Sequence, residues 1–348
     1  MTHNYPNQRR KNCETGVLEN MLLWHGCDVG EDLLFGIGSG LYFMYSPFLS
    51  VQGTVYPLMR IQPVEIVKRA AQRLGFVVHV KSFGDDRTRA TASLDELLSK
   101  GIPVGVVLNV KGLPYFNAMG VTSDFNGHIV TIVGEDGNDY LVADTDSRLK
   151  DDTLVRVNKS TIEETRFAPG IGTPHGKIFW IDGNDTIAVS GEMLEKAIFS
   201  GLKETCNKFL HTPLPYYGAK GLHYFADDIR SWWNKYPQRQ ISYVIMWYYR
   251  LIERAGTGGA GYRYLYLGFL KEAARLLGNE ALDDATKTMA SAAEGWRSFC
   301  LEGRRFIRQP EGATLQKMAD IIDNIGDDEH KTFKGIQKGF IAGAKRHL

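Results

Sequence analysis

Cysteine is scarce in this chain: Cys13, Cys27, Cys206 and Cys300 are the four thiols in 348 residues. Thiols so few and so far apart cannot staple a chain of this length. With no Cys-x-x-Cys pair and no Cys/His cluster they spell no zinc site either. An excess of one charge sign is missing too. Lys and Arg number 41 against 40 Asp and Glu, a formal charge of +1, so no global field draws nucleic acid or an anionic membrane. No apolar run approaches the length of a bilayer span. The polar start, Met1-Thr2-His3-Asn4-Tyr5-Pro6 followed by Arg9-Arg10-Lys11, has no apolar stretch behind it and does not read as a signal peptide. Internal repeats and low-complexity tracts are lacking. These absences leave the expectation of a reduced, cytoplasmic, globular protein with no nucleic-acid or membrane partner, and with an oligomeric state the sequence does not give.

What is present divides in two. A chain of 348 residues with 43% hydrophobic content suits two domains. In the first half, Glu14 to His25 carries Val17, Leu18, Met21 and Leu22 at helical spacing, and a second helix is expected from Val64 to Leu74. Ser93-Leu94-Asp95-Glu96 reads as a capping box opening a short helix to Leu98. Strands are expected over Phe76–Val80, Pro103–Val110, His128–Val133, Tyr140–Asp144, Leu154–Val157 and Lys177–Ile181. After Asp182-Gly183-Asn184-Asp185 strand signals nearly vanish. Amphipathic stretches then run from a Ser190 cap to Leu210, and over Leu222–Lys235, Ser242–Arg254, Tyr262–Leu277, Ala281–Phe306, Thr314–Ile325 and His330–Lys345. The expected fold is α+β, with residues 1–185 forming a catalytic domain and 186–348 an all-α helical domain.

Chemistry concentrates in the first half. Cys13 stands at the first turn of a helix, where unpaired N–H groups and the helix dipole favour a thiolate, and Arg9, Arg10 and Lys11 add positive potential. The bland alternative is a buried structural cysteine. Gly127-His128-Ile129-Val130 opens a strand, and Asp139-Tyr140-Leu141-Val142-Ala143-Asp144 follows as its hairpin partner. A three-residue loop at Glu135-Asp136-Gly137 sets His128 directly opposite Asp144, about 5 Å between Cβ atoms. A carboxylate there takes one imidazole proton and leaves the other nitrogen for a nucleophile. Taken singly, the two are an ordinary strand-end histidine and a turn-starting acid. The order Cys, His, Asp, with the cysteine on a helix and the others on adjacent strands, is the papain-type arrangement.

The segments Cys13-Glu14-Thr15-Gly16-Val17-Leu18-Glu19-Asn20, Leu34-Phe35-Gly36-Ile37-Gly38-Ser39-Gly40-Leu41 and Gly127-His128-Ile129-Val130 resemble the N-terminal domain of the butirosin biosynthesis protein H family. The stretch from Gly258-Gly259 through Arg263, Tyr266 and Phe269-Leu270-Lys271-Glu272-Ala273-Ala274 resembles the helical domain that often follows it. The catalytic core is also similar to bacteriocin-leader cysteine peptidases. The family resemblance implies a papain-like fold and acyl transfer from a carrier-protein thioester to an amine. The donor would then be presented on the phosphopantetheine of an acyl carrier protein, with no bound cofactor and no metal. An amide synthase of the closthioamide kind, joining an aryl-β-alanyl chain to a diamine, is one activity it implies. Alternatives are a peptidase or amide hydrolase with the same residues, and a non-catalytic module that binds a ligand or a carrier protein.

The oxyanion hole departs from the papain pattern of a glutamine about six residues before the nucleophile. Gln8 is five before Cys13 and Asn7 six, so either amide is a candidate. Arg9-Arg10-Lys11 reads equally as a solvated run or as a receiving surface for an acidic carrier protein. Gly36-Ile37-Gly38-Ser39-Gly40 lacks both P-loop and GxGxxG spacing and reads as a tight turn near the Cys13 helix. Gly256-Thr257-Gly258-Gly259-Ala260-Gly261 reads as a flexible linker able to act as a lid, and Asp227 with Asp228 as an acidic helix surface or an amine site.

Overall fold

Apolar and β-branched residues in Val104-Gly105-Val106-Val107-Leu108 and His128-Ile129-Val130-Thr131-Ile132-Val133 can satisfy their backbone only within a sheet covered on both sides. Those two strands are accordingly central. The computed structural model describes residues 5–48, 50–51, 54–121, 124–149, 152–183 and 186–344. The terminal residues 1–4, residues 184–185 at the expected domain boundary, and Lys345 lie outside the described residues.

In chain order the elements begin with α1 (Cys13–Trp24) and α2 (Glu31–Ile37). Four short strands follow: β1 (Leu41–Met44), β2 (Ser50–Val51), β3 (Thr54–Val55) and β4 (Leu58–Arg60). Then come α3 (Glu65–Leu74), β5 (His79–Lys81), α4 (Arg87–Ser99), β6 (Val104–Asn109) and α5 (Pro114–Ala118). The hairpin β7 (Asn126–Asp136) and β8 (Asp139–Ala143) leads to β9 (Val155–Asn158), α6 (Lys159–Arg166) and β10 (Ile178–Trp180). Helices complete the chain: α7 (Gly191–Leu210), α8 (Gly218–Lys235), α9 (Gln238–Glu253), α10 (Arg263–Leu277), α11 (Glu280–Arg308) and α12 (Gly312–Ile336).

These elements form two compact units, but not by a single cut. One comprises Met1–Leu34 with Pro63–Met193, the other Phe35–Gln62 with Leu194–Leu348. The single boundary expected at 185 therefore misses an excursion, residues 35–62, that clusters with the helices. Side chains explain the association. Phe43 meets Phe225 and Trp296, Tyr45 meets Phe225, and Phe35 stacks on Tyr262 with centroids 5.7 Å apart. The Gly36–Gly40 turn belongs here as well, because a Cβ on Gly36 would run into the Phe269 ring and one on Gly201 into the Gly36 carbonyl.

In the first unit an antiparallel sheet runs β5-β10-β6-β7-β8-β9. One core gathers Val104, Val106, Leu108, Val130, Ile132, Val142 and Ile178 with Ala90 and Leu94 of α4 and Ile162 of α6. Helix α1 packs against β7. The capping box at Ser93 is not used. Helix α4 starts earlier, with the Asp86 carboxylate accepting from the Arg89 N–H, and Asp95 instead accepts from the Tyr140 hydroxyl at 2.6 Å. At the start of α7 the Ser190 hydroxyl accepts from the Met193 N–H as expected. The two helices expected after Thr314 are one, α12. Gly326, in the gap left between them, is buried and lets His223 and Leu222 approach closely. The segment Gly256–Gly261 is no open lid: Thr257 and Ala260 are buried, and Thr257 Oγ1 donates to the Ile252 carbonyl at 2.7 Å.

Candidate active site

Helix α1 begins because Asn12 caps it, its side-chain oxygen accepting from the N–H groups of Glu14 and Thr15, both at 3.1 Å. Cys13 is the first helical residue and half-buried, and the residues behind it, Glu14 to Leu22, are buried. A buried helix that carries Glu14, Thr15, Glu19 and Asn20 must partner each of them. Glu14 accepts from the N–H groups of Ile66 and Val67 at the start of α3. Thr15 donates to Glu31, which also accepts from the N–H groups of Asn12 at 2.7 Å and Lys11 at 3.1 Å. Burial pushes the Glu31 carboxyl up to about 7, against the lowering effect of those two N–H groups. Glu19 holds Arg10 in a two-point ion pair and accepts from the Glu31 N–H. Asn20 bonds the Gln8 backbone on both its N–H and its carbonyl. The cysteine is thus fixed by a ring of partnered polar groups that a reading for nucleophiles passed over. The legible signal was acid and amide side chains inside a helix with no polar face.

The segment ahead of Cys13 also ties it to the end of β8. The Arg10 N–H donates to the Thr145 carbonyl at 2.8 Å, and Arg9 donates to the Asp144 carbonyl. Gly16 permits this approach, since a Cβ there would lie 2.7 Å from Arg10 Cβ and 2.9 Å from Thr145 Oγ1.

His128 and Asp144 meet, but not in the expected register. The hairpin closes with Asp136 opposite Asp139, so its loop is Gly137-Asn138, with Gly137 at φ 61°. An irregularity between Ile132 and Gly134 then shifts the ladder to pair Thr131 with Ala143. Continuing that ladder sets residue 146, not 144, across from His128. Asp144 is the diagonal neighbour on the same face. Its Oδ2 nevertheless lies 2.8 Å from His128 Nε2, and both side chains are buried.

Two further donors complete the carboxylate. The Tyr115 hydroxyl donates to the same Oδ2 at 2.7 Å and the Asp146 N–H to Oδ1 at 3.0 Å. Tyr115, in the short helix α5, is a member of the site that sequence reasoning missed, because nothing in the α5 segment marks it. The neighbouring Phe116 presents its ring edge-on to the imidazole, 5.1 Å between centroids.

With Nε2 on Asp144, Nδ1 is the imidazole nitrogen left for Cys13, whose side chain interacts with His128. Burial would depress the His128 pKa. The Asp144 carboxylate and the Cys13 sulfur outweigh it and hold the imidazolium well above the usual histidine range. The remaining thiols are deep and quiet. Burial raises all three, Cys27 and Cys300 among them, and pushes Cys206 up to about 12.

Of the other expected site residues, Asn7 donates its amide to the carbonyls of Asp152 and Thr153 at 3.0 and 3.1 Å. Gln8 is exposed, with its side-chain oxygen accepting from Arg10. The basic run is matched by acids: Arg9 faces Asp152 at 3.6 Å, Arg10 pairs with Glu19, and Lys11 with Asp32 at 3.0 Å. Asp227 pairs with Arg230, whereas Asp228 accepts from Tyr45 and the Trp232 indole at 2.6 and 2.9 Å.

The family described as butirosin biosynthesis protein H, N-terminal, matches residues 12–145. The domain of unknown function DUF4872 matches residues 160–336. Among solved structures, a putative C39-like peptidase from Bacillus anthracis is similar at 17% identity and a TM-score of 0.36, over 52% of this chain and 96% of that one. No curated protein matches the chain. The DUF4872 match covers just over half of the chain, which therefore belongs to that family, and the α+β segment that carries Cys13, His128 and Asp144 lies within the match to the butirosin biosynthesis protein H N-terminal domain.

Proposed function

We propose that this protein is a cysteine acyltransferase that forms amides. The observation that carries the reading is the buried His128, bonded through Nε2 to Asp144 and facing Cys13 with its other nitrogen. The family match, to a protein named for butirosin biosynthesis, favours transfer in specialised metabolism over digestion. In this reading the Cys13 thiolate attacks the carbonyl of a carrier-bound thioester, the carbonyl π pair becomes an oxyanion, and as the carbonyl re-forms the carrier sulfur leaves as a thiol with the proton of the His128 imidazolium, which becomes neutral. An amine, a diamine being one candidate, then attacks the acyl-enzyme. His128 takes the amine proton, Asp144 stabilises the imidazolium, and Cys13 is released. The Cys13 N–H and the Gln8 amide are the candidate oxyanion donors. Gln8 is favoured over Asn7, whose N–H groups are already engaged by two carbonyls. An acyl carrier protein is the proposed donor, presenting the acyl group on phosphopantetheine beside Arg9, Arg10 and Lys11. Of these three, Lys11 leaves half its side chain open to solvent.

The test is intact-protein mass spectrometry with an acyl thioester, followed by the amide-to-acid ratio over a panel of primary amines and diamines. An adduct on Cys13 that amines discharge as amide is the expected result. An adduct that persists in Cys13→Ala, or peptide-bond cleavage with no diversion by any amine, overturns it.

A further inference from the structure

We propose that Tyr115 is a positioning residue that sets the proton affinity of His128 through Asp144. The inference rests on the catalytic reading of Cys13, His128 and Asp144. Its warrant is a shared oxygen. Asp144 Oδ2 accepts both the Tyr115 hydroxyl at 2.7 Å and His128 Nε2 at 2.8 Å, while Oδ1 takes the Asp146 N–H. Asp144 is fully buried. Among the described residues its carboxylate carries no bonded cation other than the imidazolium, for Arg148 is bound to Asp146 and Arg9 to the Asp144 backbone carbonyl. A neutral hydroxyl on the oxygen that also faces the imidazole draws charge away from it and weakens its hold on the imidazole proton. Burial and the nearby Asp144 raise the Tyr115 pKa well above the usual tyrosine range, so the phenol remains a donor wherever the site works. The groups that face this pair are Asp144, Asp146, Cys13 and Arg9, and none of them competes with Tyr115 for Oδ2.

Geometry gives Tyr115 a second consequence. It fixes which carboxylate lone pair is left for Nε2, in a register where Asp144 is not directly opposite His128 and the strand pairing alone does not aim it. The hydroxyl therefore supplies orientation that a directly opposed pair would take from the sheet.

The experiment is the rate of Cys13 alkylation by iodoacetamide against pH, with the His128 ring followed by NMR, in wild type, Tyr115→Phe, Asp144→Asn and the double variant. Rapid alkylation of wild type at pH 6 tests the catalytic reading itself, so its failure is distinguishable from failure of this inference. In Tyr115→Phe the alkaline limb and the His128 titration should both move up by roughly one pH unit, with about tenfold slower acyl transfer at neutral pH. In the Asp144→Asn background the same change should have little further effect, since it acts through that carboxylate. Site-specific 3,5-difluorotyrosine at position 115, a stronger donor with the same ring, should move the limb down, and it serves as well if the phenylalanine variant does not fold. A limb that stays put in both substitutions, or effects that add in the double variant, overturns the proposal.

Discussion

Replacing Gly16 by alanine should damage activity far more than stability, and the structure gives both magnitudes. The new methyl would stand 2.7 Å from Arg10 Cβ, 3.1 Å from Arg10 Cγ and 2.9 Å from Thr145 Oγ1. Comfortable contact between such atoms is about 3.5–4.0 Å, so the two neighbours must retreat by roughly 0.5–1 Å. Neither is free to swing aside alone, because the Arg10 N–H is bonded to the Thr145 carbonyl at 2.8 Å and Thr145 follows Asp144. Overpacking of this kind destabilises by about 1–3 kcal/mol. Alanine in place of glycine inside a helix returns about 1 kcal/mol. The net loss is then on the order of 0–2 kcal/mol. Displacement of Asp144 from the Cys13 helix by ~1 Å, in contrast, can lower the rate on the order of 10²-fold. Urea unfolding and single-turnover acylation of the same preparation measure the two sides. A variant that gains about 1 kcal/mol, as at an ordinary helical glycine, and acylates at the wild-type rate would refute the close-approach argument.

Three other expectations are open to direct measurement. Asp144→Asn should fold yet lose activity by a factor on the order of 10⁴, as in the serine-protease triad, whereas Asp146→Asn should retain most activity, since it reaches Asp144 through its backbone N–H; the reverse order would assign the acid wrongly. Arg263 and Glu329 form a fully buried pair at 2.7 Å, so Glu329→Ala should destabilise by about 3–5 kcal/mol by stranding the guanidinium, and an unchanged melting temperature would rule that out. Glu31 has its folded pKa raised from 4.5 to about 7, so its contribution to stability is fully present below 4.5 and is lost as pH rises through 7. That swing is on the order of 3 kcal/mol, and Glu31→Gln should flatten that part of the stability–pH curve; a variant curve that still falls over that window would show that other groups cause it.

How much of this was legible in the sequence follows from what each feature depends on. Cys13, His128 and Asp144 stand out by residue type and by the elements they open or close, and those elements formed where periodicity set them. The register between His128 and Asp144 was misread because it hangs on one residue of turn length and one irregularity, at Gly137-Asn138 and Ile132–Gly134, and neither alters the apolar pattern. The expected pairing and the observed diagonal reach the same contact because both keep the two side chains on one face. Tyr115 was missed because a tyrosine in a short helix is indistinguishable from a core residue until its hydroxyl partner is known. Residues 35–62 went unrecognised because their strands are two to four residues long and their apolar side chains read alike for either unit.

That excursion bears on how the protein comes into being. Phe35, Ile37, Leu41, Phe43 and Tyr45 are almost wholly buried, among side chains such as Phe225, Phe269 and Trp296 that lie more than 150 positions later. On the ribosome this greasy ribbon emerges early and waits for its partners. At about 5–20 residues per second the wait is roughly 10–50 s. During that interval the nascent chain must keep the ribbon from aggregating, by chaperone cover or transient pairing, while residues on either side of it are already able to collapse together. Truncating the gene after residue 185 would make the wait permanent, so such a fragment should be insoluble for a reason unrelated to Cys13, His128 and Asp144. A soluble fragment of the first unit calls instead for a bridge from residue 34 to residue 63 that leaves the ribbon out.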